Sequence, residues 1–94
     1  RSSFSNFGSC LDLFAPGVAI WSANIAAPNY YVTMDGTSMA APAVTGMAAR
    51  FLEAIPSATP ASVQNWVVSN ATTNVVINPG LNSPNRLAYI APAN

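Results

Sequence analysis

Gly36-Thr37-Ser38-Met39-Ala40-Ala41-Pro42-Ala43-Val44-Thr45-Gly46 is a run of small residues that turns the chain and then enters a helix. Gly36 permits a tight turn with dihedrals closed to other residues, and Ser38 opens the apolar stretch that follows. A residue at a helix start keeps a backbone N–H free of intrahelical partners, pointing where an anion can sit. Pro42, four residues on, has no N–H to give the Ser38 carbonyl, so the first turn is predicted to be strained or reshaped. Taken alone, Gly-Thr-Ser also fits a plain helix cap formed by Thr37 or Ser38.

Working outward, Met39, Ala40, Ala41, Ala43, Val44, Met47, Ala48, Ala49, Phe51 and Leu52 are apolar on almost every face. A helix apolar all round is a buried one, and Gly46 in its middle would let a neighbouring element approach the backbone closely. Charge returns at Arg50 and Glu53, where the helix should emerge toward solvent, and Pro56 ends it. Thr59-Pro60 then reads as an N-cap followed by proline at the first helical position. Val63, Trp66 and Val67, at i, i+3 and i+4, give this second helix one apolar face.

Before the opening stretch, short strands are predicted at about residues 10–14, at Val18 to Trp21, and at Tyr30 to Met34, which is rich in aromatic and β-branched residues. Ala15-Pro16-Gly17 separates the first two as a turn. After the second helix, the tail is rich in Asn, Pro and Gly, with a short strand predicted at Val75–Ile77 and a short apolar stretch at Leu87–Ile90.

The 94 residues are 51% hydrophobic, enough for a core of some size, but only 6% are charged, against about 25% in an ordinary soluble domain. A piece whose faces normally lie inside a larger protein would have this composition. Formal net charge is zero without a basic cluster, so nothing supplies the footprint that phosphate-backbone binding requires, and nucleic acid is not an expected partner. No uninterrupted apolar stretch reaches the roughly 18 residues of a membrane span, and Arg1-Ser2-Ser3-Phe4-Ser5 lacks the apolar region of a signal peptide. Cys10, the single cysteine, is either a buried thiol or half of a bridge to something beyond these residues.

Gly36 to Gly46, as Gly-Thr-Ser-Met-Ala-x-Pro-x-Val-x-Gly, resembles the nucleophile segment of the subtilisin-like serine proteases. Ser3 to Gly8 and Asp12-Leu13-Phe14-Ala15-Pro16-Gly17 look like the two segments preceding it in the proteinase K and aqualysin branch. Pro56 to Val63 and Asn82-Ser83-Pro84-Asn85-Arg86-Leu87 are similar to the ending of aqualysin-like members. The resemblance covers nearly the whole chain, in order. It implies that residues 1–94 are roughly the last third of a subtilase catalytic domain, an α/β fold with a parallel sheet. It also implies a secreted serine endopeptidase acting on protein or peptide substrates.

By the same resemblance, Ser38 is the nucleophile and its N–H one oxyanion donor, with the family's Asp, His and side-chain oxyanion Asn all upstream of Arg1. Cys10 matches a position disulfide-bonded to an upstream cysteine, and Asp12 a carboxylate that helps bind a structural calcium. One carboxylate does not supply the six to eight oxygens calcium takes, so a turn or capping role for Asp12 stands beside that one. The chemistry itself requires no cofactor. Two positions depart from the usual pattern: Ala43 replaces a His that is not the general base, and Asp35 precedes the motif glycine where Ser or Asn is commoner.

The chain contains no histidine and no lysine. Its acids are Asp12, Asp35 and Glu53, and carboxylates, with ordinary pKa values of about 4, take a serine proton poorly. Asp35 is too close along the turn, and Glu53 is about 22 Å up the helix from Ser38. The isolated segment is therefore expected to be inactive and to need the upstream part of the same domain as its partner. A non-catalytic segment serving as a packing or interaction unit is the alternative reading. Asn70-Ala71-Thr72 also fits a glycosylation acceptor.

Overall fold

A computed structural model describes residues 1–92. Two helices and two short antiparallel strand pairs make up the regular structure among the described residues. Strands β1 (Ile20–Ala23) and β2 (Tyr31–Met34) form the first pair, with Ile20 opposite Met34 and Ala23 opposite Tyr31. Their connection is held by an Asx turn, in which Ala26 N–H donates to Asn24 Oδ1 at 2.8 Å, and by Asn24 N–H to the Tyr30 carbonyl at 2.8 Å. On the outer face of the pair Trp21 and Tyr31 stack at 5.7 Å, a diagonal cross-strand contact of the kind that stabilises two-stranded ribbons.

Helix α1 runs from Thr37 to Ala54 and continues through Pro42, which costs one hydrogen bond without breaking the helix. It ends where Ile55 N–H returns to the Phe51 carbonyl at 2.9 Å, just before Pro56. Helix α2 (Pro60–Ser69) begins as the sequence predicts: Thr59 Oγ1 accepts from Ser62 N–H at 3.1 Å, and proline occupies the first turn. Asn70 closes it, its side-chain amide donating to the Trp66 carbonyl at 2.8 Å.

The two helices meet at the only buried side chains among the described residues, Met47 on α1 and Val67 on α2, each 5% exposed. Phe51 and Trp66 stack beside them. The expectation of a buried α1 is thus met on one side only. Gly46 is not a close-packing site within this chain either, since a Cβ placed on it would find no atom within 4 Å. The reason is geometric: α2 packs along one stripe of an all-apolar helix, the hairpin approaches it only near Met39 and Pro42, and much of the remaining surface is exposed.

Strands β3 (Thr72–Thr73) and β4 (Arg86–Leu87) form the second pair. The strand predicted at 10–14 is reduced to Phe14, which bridges Leu87 in parallel through Phe14 N–H to the Arg86 carbonyl and Ala88 N–H to the Phe14 carbonyl, both 2.8 Å. The strand predicted at Val75–Ile77 is absent. Asn85 takes its place as a partner: its Nδ2 donates to the Val76 carbonyl and its Oδ1 accepts Val76 N–H, each at 2.9 Å. No helix among the described residues is long and apolar enough to cross a membrane.

Candidate active site

β2 delivers the chain through Asp35 and Gly36 directly into α1. Gly36 sits at φ +154°, ψ +157°, a combination open essentially to glycine alone. That geometry lets its N–H donate to the Gly17 carbonyl at 2.7 Å while its own carbonyl accepts Met39 N–H at 3.0 Å. No side chain caps the helix, so the capping reading of Thr37 and Ser38 does not hold. The amide of Ser38 finds no acceptor among the described residues.

Ser38 is exposed and lines a cavity of about 250 Å³ whose other walls come from the inner face of the hairpin, through Ile20, Ser22, Val32 and Met34, and from Met39 and Pro42. The hydroxyl and the uncommitted amide of one residue thus share an apolar recess. Such an arrangement can offer a nucleophile and a hydrogen-bond donor to one carbonyl group. It has no base of its own, because α1 carries Glu53 far from this end and exposed.

Asp35 is held by the neighbouring turn. Its Oδ1 accepts Ala19 N–H at 2.6 Å, and Ala19 adopts φ +54° to present that amide. Nothing in the sequence marks Ala19, since alanine carries no left-handed preference. Gly17 was legible only as a turn residue, yet a Cβ on it would lie 2.6 Å from the Gly36 carbonyl oxygen. It is a close-approach glycine beneath the serine turn.

The other singled-out residues lie elsewhere. Cys10 is exposed in this segment. It lines an apolar groove between Leu11, Leu13 and the two helices with a volume of about 700 Å³. Asp12 is exposed; its carboxylate meets Gln64 Nε2 at 3.5 Å and its carbonyl accepts from Arg86 at 3.3 Å. No group of three His, Cys, Asp or Glu residues gathers among the described residues. Asn70 is exposed, with its amide nitrogen committed to the α2 cap.

Comparison with known proteins settles what kind of chain this is. The profile of the subtilase family, peptidase S8, matches residues 1–87. The chain belongs to the subtilase family. It is 53% identical over 89 residues to an extracellular serine proteinase of Thermus sp. (strain Rt41A), covering 95% of this chain and 22% of that protein. An alkaline proteinase of Hapsidospora chrysogena is 48% identical with the same coverage. The crystal structure of a cold adapted subtilisin-like serine proteinase superposes with a TM-score of 0.89 at 44% identity, over 98% of this chain and 33% of that one. This subtilase segment therefore has the α/β subtilisin-like fold, and spans about a fifth of the length of the curated relatives it matches.

Proposed function

We propose that the protein is a secreted serine endopeptidase in which Ser38 is the nucleophile and the remainder of the catalytic domain is contributed by residues upstream of Arg1. The observation that carries this reading is the exposed Ser38 at the glycine-turned start of α1, with its own amide uncommitted. Secretion accords with the extracellular Thermus proteinase, and protein or peptide substrates with the names of the relatives generally.

In the proposed reaction Ser38 Oγ attacks the scissile carbonyl carbon as its proton passes to a base supplied from upstream. The carbonyl oxygen becomes an oxyanion that accepts the Ser38 N–H, with a second donor from the upstream part. The intermediate collapses to an acyl-enzyme, the amine leaves with the proton held by the base, and water then releases the acid by the reverse sequence. The helix start favours this charge because its unpaired amides and dipole are positive at that end.

The test is covalent labelling with a fluorophosphonate, which needs an activated serine. The protein with its upstream region should be labelled at Ser38, and the isolated 94 residues should not. Failure of the longer protein to take the label would remove the enzymatic reading and leave a packing segment. Strong labelling of the isolated segment would refute the assignment of the base to the upstream region.

A further inference from the structure

We infer that Asp35 is a positioning residue for Ser38, acting through the amide of Ala19; this rests on the nucleophile reading of Ser38. The β1–β2 ladder ends at the Ile20–Met34 pair. One residue beyond it on each strand, the Asp35 carboxylate takes the place of a backbone acceptor and receives Ala19 N–H at 2.6 Å. A charge-assisted bond of that length is among the stronger ones a backbone amide can make, and it holds Ala19 in the left-handed conformation at φ +54°.

The next residue repeats the connection in the backbone: Gly36 N–H donates to the Gly17 carbonyl at 2.7 Å. Asp35 and Gly36 thus fasten Gly17 to Ala19 against the corner where strand becomes helix. The Gly36 carbonyl in turn accepts Met39 N–H at 3.0 Å and closes the turn that carries Ser38. Ala19 is also the residue before Ile20, which walls the Ser38 cavity. One carboxylate therefore fixes two sides of the recess, the entry to β1 and the start of α1.

The carboxylate has a second consequence, because a negative charge at this corner disfavours an oxyanion forming close by. The hydrogen bond and the charge act in opposite directions, and Asn separates them: it keeps the Oδ1 acceptor and removes the charge. Asp35→Ala removes both.

The experiment measures the second-order rate of fluorophosphonate labelling, and kcat and KM on a peptide substrate, for the full-length protein and its Asp35→Ala and Asp35→Asn variants well below their unfolding temperatures. Asp35→Ala should lower the labelling rate and kcat by about ten- to a hundredfold, as expected of a displaced nucleophile, with little change in KM. Asp35→Asn should restore the rate to the wild-type level or above it. Hydrogen exchange at the Ala19 amide provides an independent reading should Asp35→Ala fold poorly: slow exchange is expected in the wild type and in Asp35→Asn. An Asp35→Ala variant as fast as wild type overturns the inference, as does an Asp35→Asn variant as slow as Asp35→Ala, or an unprotected Ala19 amide in the wild type. Wild-type protein that takes no label at Ser38 removes the nucleophile reading itself, and the positioning role with it.

Discussion

Phe51 and Trp66 stack with their ring centroids 5.0 Å apart and their planes 29° from parallel, beside the buried pair Met47 and Val67. This is the contact that joins the serine-bearing helix to α2. Offset aromatic pairs add about 0.5–1.5 kcal/mol beyond the area they bury. Trp66→Ala should therefore destabilise the full-length protein by about 3 kcal/mol, read as a shift in denaturant midpoint. Trp66→Phe, which keeps a ring in place, should lose roughly a third of that.

Asn85 offers a sharper test because one side chain satisfies both polar groups of Val76. Asn85→Ala leaves a part-buried donor and acceptor unpaired, which costs about 1–3 kcal/mol for each. Asn85→Asp keeps the acceptor but sets a carboxylate against the Val76 carbonyl. The ionised form is then disfavoured in the folded state, so the new carboxyl's folded pKa rises above its unfolded value. Stability of that variant should be highest at acidic pH, below the unfolded value of about 4, and fall as pH rises through the folded value. A chemical-denaturation series across pH would detect this, and wild-type protein measured in parallel supplies the reference slope.

Two glycines should separate stability from chemistry. A Cβ on Gly17 would sit 2.6 Å from the backbone oxygen of Gly36, so Gly17→Ala should push the serine turn out of place and slow labelling of Ser38. Gly80 holds φ +97° and a Cβ there would run into Phe7, and neither residue lines the Ser38 cavity. Gly80→Ala should lower the melting temperature while labelling per folded molecule stays at the wild-type rate. Equal effects of both substitutions on labelling would contradict this account.

The isolated 94 residues should behave unlike the same residues in the longer protein. Trp21, Ile25, Ile77 and Leu81 are 68% or more exposed, apolar side chains that the upstream region is expected to cover. The segment alone is expected to bind a hydrophobic dye and to unfold with a shallow transition. Addition of the upstream region in one chain should abolish the dye signal.

How much of this could be seen in the sequence divides along physical lines. Both helices were legible, because their signals are local: small residues after Gly36, and Thr59-Pro60 with the Val63, Trp66, Val67 stripe. The family was legible because the pattern around Ser38 is long. The strands at 10–14 and 75–77 were over-read. Short apolar runs satisfy strand propensity, but pairing depends on what lies opposite, and opposite Val76 lies a side chain. Burial of α1 and close packing at Gly46 were expected from its apolar residues on almost every face, yet among the described residues α2 covers one stripe of the helix and much of the rest is exposed. The Asp35–Ala19 bond had no local signature, since it depends on a left-handed alanine brought beside the strand end by the fold.

The use of a side-chain amide where a strand would normally pair also has a chemical lifetime attached. Backbone ladders do not hydrolyse under mild conditions, but asparagine is among the thermolabile residues. Deamidation at Asn85 would turn the donor facing the Val76 carbonyl into an oxygen. The tail would then lose its register by covalent ageing, so prolonged warming should inactivate irreversibly a protein that still refolds well when unfolded briefly.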